Sequence, residues 1–185
     1  MKEVYSAIEK LMSEKKRVVV AIDGMCGSGK TTLSKHLKEK YNGTIFQMDW
    51  FFLPIEKKTP ERMSEPGCNV DYDRVIEEIH EKLSQDVIEF KRYSDTTLEY
   101  YPEKEVLTDL IIIEGAYSMR PEFRKFYDLT IFYGIDPEFQ IRRLSHREGE
   151  GVIDYIEKWI PLENEYIEYF NIKDHCDIVL AANNE

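Results

Sequence analysis

The sequence predicts an α/β fold of three layers, a mainly parallel sheet with helices on both faces. Three observations carry that prediction. Short runs rich in Val and Ile alternate with segments of helical periodicity, the pattern of a parallel sheet with crossover helices. The best of these runs, Arg17 to Ile22 (RVVVAI) and Leu107 to Ile113 (LTDLIII), do not alternate apolar with polar, as befits strands buried on both faces. The first run leads directly into a glycine-rich turn and then a helix. At 185 residues the chain is long enough for one domain with a sizeable core, so residues 1–185 are read as a single unit.

The elements follow in chain order. Val4, Ile8, Leu11 and Met12 recur at helical spacing, which makes residues 4–13 an amphipathic opening helix. After the strand at 17–22 and its turn, a helix spans about 30–40. Tyr41-Asn42-Gly43 closes it, because Asn and Gly accept the left-handed C-cap. Thr44 to Met48 reads as the second strand. Residues 49–69 hold Trp50, Phe51, Phe52 and the prolines Pro54, Pro60 and Pro66. They read as a long mobile connection, and such connections serve as lids or binding loops. Val75, Ile76, Ile79 and Leu83 mark a helix over 72–84, and 87–90 pairs with 97–101 as a hairpin across Ser94-Asp95. Strands at 107–113 and 128–133, helical stretches at 137–148 and 151–170, and a last short strand at 177–180 complete the chain. The aromatic residues of 155–170 are expected to pack internally, with a dimer face as the alternative.

Composition narrows the function classes. Hydrophobic residues are 42% and charged residues 33%, an ordinary globular balance. Lys and Arg number 25 against 36 Asp and Glu, a net charge of −11, which argues against a nucleic-acid partner because that needs a basic footprint. Cys26, Cys68 and Cys176 lie far apart with no CxxC pair, so neither a disulfide framework nor a cysteine zinc site is expected. The residues Met1 to Tyr5 carry an early acid and no apolar run, and Leu110 to Ile113 is far short of the roughly 20 residues a membrane span needs. The expectation is a cytoplasmic protein with no membrane partner, monomeric or a homo-oligomer.

Gly24-Met25-Cys26-Gly27-Ser28-Gly29-Lys30-Thr31 fits G-x-x-x-x-G-K-[ST] between a hydrophobic strand and a helix, where the mechanism of a phosphate-binding loop requires it. Its glycines let backbone N–H groups turn inward around phosphate oxygens, and the helix adds its positive end. Residues Gly24 to Thr32 are therefore assigned to ATP, with Lys30 on the β/γ-phosphates and the Thr31 hydroxyl on Mg²⁺. The fold class becomes that of the P-loop NTPases. Cys26 inside the loop is a small filler or a thiol acidified by the helix end. A GTPase would need N-K-x-D and D-x-x-G; Asn171-Ile172-Lys173-Asp174 has the wrong spacing and Glu114-Gly115 replaces the second. A small-molecule kinase remains.

Asp49 follows the second strand, and ligands in open parallel sheets sit beyond the carboxyl ends of strands. It is the candidate base for an attacking hydroxyl, or else a solvated loop acid or helix cap. Glu114 ends the best core strand and is the candidate Mg²⁺ partner, directly or through water; the alternative is an exposed turn acid. Arg142, Arg143 and Arg147 crowd one helix beside Gly149 and Gly151. Arg143 and Arg147 share a face and are placed as catalytic arginines on a lid at 142–151, against the alternative of a solvated face paired with Glu148 and Glu150.

With these residues in place the chain resembles the uridine kinase family of P-loop kinases and its relatives, phosphoribulokinase and bacterial pantothenate kinase. The resemblance runs from about Val18 to Leu180. It rests on the loop GMCGSGKT, on Asp49-Trp50-Phe51-Phe52 as the D-x-F-[FY] pattern, and on Asn69-Val70-Asp71-Tyr72-Asp73 as the Asn-x-Asp segment. Glu114-Gly115, Arg143 with Arg147, and the closing Asp177-Ile178-Val179 complete it. The resemblance implies ATP and Mg²⁺ as cofactors and a nucleoside-like acceptor. It implies Asp49 as base, Phe52 on the acceptor side, Asp71 on sugar hydroxyls and Tyr93 lining the acceptor pocket. Asp71 as a helix cap and Tyr93 as a packed hairpin aromatic stay open beside those roles. Residues 49–69 and 87–101 form the acceptor-side insert. Two departures stand out: Phe52 occupies a position where uridine kinases often carry Tyr, and Tyr93-Ser94-Asp95-Thr96-Thr97-Leu98 lacks the family's pyrimidine-contacting His. The acceptor is thus a nucleoside or, in the alternative, pantothenate, a sugar phosphate or another metabolite. The rival from another class is a regulatory protein that binds ATP without turnover.

Overall fold

A computed structural model describes residues 1–182. Five parallel strands form the central sheet in the order β2-β5-β1-β6-β7: β1 (Val18–Gly24), β2 (Thr44–Gln47), β5 (Leu110–Glu114), β6 (Leu129–Gly134) and β7 (Ile178–Ala181). A separate antiparallel hairpin pairs β3 (Val87–Ser94) with β4 (Glu99–Val106). The helices are α1 (Lys2–Glu14), α2 (Lys30–Tyr41), α3 (Pro60–Met63), α4 (Tyr72–Glu78), α5 (Pro137–Glu148), α6 (Val152–Asp154) and α7 (Ile160–Tyr169). The mainly parallel sheet flanked by helices is the predicted fold class.

The unbroken apolar run of β1 has a direct cause. Side chains alternate across a strand, so Val18, Val20 and Ile22 join Val4 and Ile8 of α1 and Leu33 and Leu37 of α2 in one core. Val19 and Ala21 face the other way, into a second core with Phe46, Ile111, Phe123 and Tyr166. Every one of these positions is buried, and each face requires an apolar residue. Because the strands are parallel and in register, their carboxyl ends meet at one edge: Ile22 pairs with Glu114, Gln47 with Glu114 and Gly24 with Tyr133.

Several boundaries differ from the sequence reading. Residues 49–69 are not a loose connection. They wind through short 3₁₀ turns and α3, with Phe51, Leu53 and Cys68 buried and Phe52 bridged to Val70. Three apolar side chains in the core hold the segment at its two ends, while 55–65 between them stays at the surface. The helix expected over 72–84 stops at Glu78. Ile79 leaves helical geometry (φ −120°, ψ −65°), and a 3₁₀ turn follows that seats His80 between Phe123 and Phe126. The hairpin strands run eight residues each, to Val106, so Leu107 to Asp109 connect elements instead of opening β5. The stretch 151–170 is helical throughout but widens into a π-turn over Tyr155–Trp159.

Candidate active site

A cleft of about 800 Å³ opens along the carboxyl edge of the sheet, within the size range of small-molecule sites. Among the described residues its lining carries Lys30, Arg92, Arg143 and Arg147 against Asp49, Asp95, Glu114 and Glu163. The cleft is therefore balanced in charge on a chain of net −11. That balance is where a phosphate could be held without a basic surface.

The phosphate loop is shaped by its first glycine. Gly24 has φ +139°, and a Cβ there would lie 2.1 Å from the Tyr133 carbonyl oxygen of β6, so no other residue fits. The loop then turns at Gly29 (φ +111°), which caps α2. Cys26, Gly27, Gly29, Lys30, Thr31 and Thr32 face the cleft. Gly24, Met25 and Ser28 of the predicted ATP set do not line it; they set the loop's course, Met25 by donating its N–H to Tyr133 O at 3.2 Å. Lys30 Nζ donates to Gly24 O at 2.7 Å and Met25 O at 3.0 Å, which keeps the ammonium folded over the loop.

Thr31 and Glu114 meet as the sequence predicts. Thr31 Oγ1 donates to Glu114 Oε1 at 3.2 Å, and Gln47 Nε2 donates to the same oxygen at 2.9 Å. Glu114 is buried, not an exposed turn acid. Gly115 beyond it has φ +132°, and a Cβ there would press on Met48 Cβ at 2.9 Å, so the chain turns tightly under the β2 end. Desolvation raises the Glu114 carboxyl above its ordinary range, and nearby Asp49 adds to the rise while Gln47 and Lys30 oppose it.

Asp49 lies in the 3₁₀ turn Met48–Phe51 directly after β2. Its side chain is open to the cleft, caps no helix and makes no hydrogen bond among the described residues. The residue is exposed along the cleft, yet the protein mass around it removes part of its solvent and pushes its carboxyl upward, with Lys30 and Arg147 pulling back and Asp95 pushing further. A carboxylate raised in this way and free of partners is suited to accept a proton.

The arginines ride on α5, a regular helix, not on a loop. Arg143 Nη1 reaches the loop carbonyls of Gly27 at 3.3 Å and Ser28 at 3.4 Å. Arg147 stands at the mouth, paired with Glu148 and 5.6 Å from the Tyr155 ring centroid. Arg142 lies outside the cleft with its guanidinium over Phe139. Cys26 is not acidified: burial and the neighbouring Glu163 carboxylate push its thiol up to about 12.

On the acceptor side Phe52 and Tyr93 line the cleft. Tyr93 is also a packed hairpin aromatic, 5.1 Å from the Tyr100 ring. Asp71 requires correction. Its side chain neither lines the cleft nor caps α4; Lys57 Nζ holds its carboxylate at 2.7 Å, because Lys57 on the 3₁₀ turn of the insert folds back over it. Its neighbour Asn69 is in the cleft instead, buried, with Oδ1 left without a partner. The sequence reading also missed Trp50, Arg92, Tyr117, Tyr155, Trp159 and Glu163. Glu163 reaches across from α7 to accept the Cys26 N–H at 2.7 Å, bracing the loop from the acceptor side. The aromatic stretch 155–170 is only partly internal: Tyr166 is buried and donates to Asp23 Oδ2 at 2.7 Å, while Tyr155 and Trp159 face the cleft.

The chain is similar to several known proteins. A family model described as the NB-ARC domain matches residues 1–53, which contain the phosphate loop. The uridine kinase of Bacillus cytotoxicus is 29% identical over 91% of this chain and 87% of its own length. That of Anoxybacillus flavithermus is 28% identical over 90% and 86%. A solved structure described as a possible uridine kinase from Bacillus stearothermophilus superposes with a TM-score of 0.69 at 22% identity, covering 96% of this chain and 99% of that one. The P-loop fold and the resemblance to uridine kinase-like P-loop kinases are borne out, and the relatives that carry the resemblance are named uridine kinases. No helix among the described residues is long and apolar enough to cross a membrane.

Proposed function

We propose that the chain transfers the γ-phosphoryl group of ATP to a hydroxyl of a small nucleoside-like acceptor. One observation carries the reading: a single cleft holds Lys30 and Thr31 of the phosphate loop together with Asp49, a partner-free carboxylate. The loop N–H groups and Lys30 hold the phosphates, and α2 points its positive end at them. Asp49 accepts the proton of the acceptor hydroxyl as its oxygen attacks the γ-phosphorus; the bond to the β-phosphate oxygen breaks, and ADP leaves. Arg143 and Arg147 offset the charge spread over the transferring group. The Thr31 hydroxyl and the Glu114 carboxylate, two hard oxygen donors in contact, fit Mg²⁺, which prefers such donors and keeps several waters. When bound, that ion neutralises phosphate charge.

The uridine kinase relatives favour a nucleoside over pantothenate or a sugar phosphate. An ADP-release assay with uridine, cytidine, pantothenate and sugar phosphates tests this. Turnover is expected on the nucleosides. Turnover confined to pantothenate or a sugar phosphate refutes the nucleoside assignment, and ATP binding with no acceptor consumed refutes the kinase assignment.

A further inference from the structure

One buried acid on the acceptor side grips the phosphate loop itself. Glu163 of α7 is 7% exposed and lines the cleft. Its Oε2 accepts the Cys26 N–H at 2.7 Å. From the opposite side, Gln140 Nε2 of α5 donates to the Cys26 carbonyl at 2.8 Å. The carbonyl is thus drawn to α5 and the N–H to Glu163. Inward N–H groups are what a phosphate uses in such a loop. Those of Met25 and Ser28 are taken up within the protein, by Tyr133 O and Met25 O at 3.2 Å each. The first helical bond of α2 runs from the Leu33 N–H to Gly29 O, so Lys30, Thr31 and Thr32 before it offer N–H groups with no helical partner. Cys26 lines the same cleft, but its N–H already carries a carboxyl oxygen.

Glu163 sits on a fixed helix. Tyr166, three residues on and so on the same face of α7, donates to Asp23 Oδ2 at 2.7 Å. Asp23 is buried, directly precedes the loop, and also accepts the Gly24 N–H at 2.7 Å and the Met119 N–H at 2.9 Å. Tyr166 therefore bolts α7 to the root of the loop, while Glu163 meets Cys26 by the reach of its side chain. Side-chain rotation is enough to withdraw it; the helix need not move. Burial raises the Glu163 carboxyl above its ordinary range, with a push from Asp23 and against the pull of Lys30 and the Cys26 hydrogen bonds, so its charged form regains hydration on leaving.

We propose that Glu163 competes with the terminal phosphoryl group of ATP for the Cys26 N–H, and is thereby a specificity-determining residue for the donor that lowers affinity for the triphosphate relative to the diphosphate. The inference rests on the kinase reading above and deepens it. Glu163 approaches the loop from the acceptor wall, and the phosphoryl group to be transferred is the one that stands between loop and acceptor. It is therefore the group that meets Glu163. One N–H cannot serve two anionic oxygens, and like charges in contact repel, so the carboxylate gives way to the terminal phosphate. A diphosphate lacks that group and leaves the Glu163 contact intact. After transfer the N–H returns to Glu163, and ADP is held by the rest of the loop alone.

Titration calorimetry of the whole chain with ATP and with ADP, each with Mg²⁺, tests this. Glu163→Ala is expected to bind ATP about tenfold or more tighter, the scale of a hydrogen bond to a charged group, and ADP within about twofold of the parent. Glu163→Gln keeps an oxygen for the N–H and removes the charge. It should tighten ATP by a smaller factor, again without moving ADP, and it decides alone where the Ala variant does not fold. Both variants should lower the KM for ATP without raising kcat, since tighter ground-state binding of the donor adds nothing to the chemical step. A carboxylate that only braces the loop predicts the reverse: Glu163→Ala weakens ATP and ADP together, and Glu163→Gln restores both. That result, or unchanged affinity for both nucleotides in both variants, overturns the competition and leaves the kinase standing. A parent chain that binds neither nucleotide overturns the competition and the ATP-dependent kinase reading together.

Discussion

Six of the nine residues from Gly24 to Thr32 line one side of the cleft, the proposed donor wall, and the helix α5 docks on that loop through Gln140 and Arg143. The acceptor wall is gathered from residues spread between Asp49 and Glu163, on a 3₁₀ turn, a hairpin, a π-turn and the start of α7. The donor side is backbone N–H, glycine and cation. The acceptor side is Trp, Phe, Tyr and Asn. A phosphate has one shape and one charge pattern, so a short loop after a strand is enough to hold it. An acceptor is recognised by shape and stacking, which must be assembled from several elements.

Breaking the donor wall should have the largest effect. Lys30→Ala is expected to lower kcat/KM roughly 10³-fold in an ADP-release assay, as loss of a principal phosphate-charge partner does. Gly24→Ala should act through the fold. Its Cβ would enter the Tyr133 carbonyl, and the combined overlap and backbone strain cost about 3 kcal/mol, or a Tm lower by roughly 10 °C by calorimetry. Arg143→Ala removes both a proposed phosphate partner and one contact of α5 with the loop, while the Gln140 bond to the Cys26 carbonyl stays. A loss of about ten- to a hundredfold in kcat, with nucleoside KM nearly unchanged, is expected.

These contrasts explain what could be read in the sequence. The phosphate loop, Asp49 and Glu114 were legible because each sits at a fixed place relative to a strand end, and the strands announce themselves by unbroken apolar runs. Trp159, Arg92 and Glu163 were not, because no spacing links them to Asp49; only the fold brings them there. Asp71 misled for the same reason, since nothing in the order of residues says that Lys57 will fold over it. The helix at 72–84 was overextended because the 3.6-residue pattern continues through Ile79 and Leu83 although the backbone turns at Ile79 to seat His80.

A subtler probe sharpens the boundary between the walls. Glu163 spans it, and burial raises its carboxyl above the ordinary range, against the pull of Lys30 and the Cys26 hydrogen bonds and with a push from Asp23. A carboxyl with a raised folded pKa binds more protons folded than unfolded, so its charged form destabilises the fold as pH rises past the unfolded value through the raised one. Glu163→Gln keeps an acceptor for the Cys26 N–H and removes that charge. The variant should melt a few degrees above the parent at pH 8, with the difference shrinking towards the acid range. A constant difference at all pH values would mean that the carboxylate is not the source.

The central claim is that Asp49, on the acceptor wall, serves chemistry on a phosphate held by the donor wall. Its most direct test is Asp49→Asn, with kcat on the preferred nucleoside and the Kd for ATP measured side by side. The arrangement described here predicts a fall in kcat of about 10²–10⁴-fold with ATP affinity retained within about twofold. It also predicts that the acid limb of the parent's kcat/KM profile lies above the ordinary carboxylate range, following the upward push on the Asp49 carboxyl. Full turnover by Asp49→Asn, or a loss explained wholly by weaker ATP binding, would contradict it.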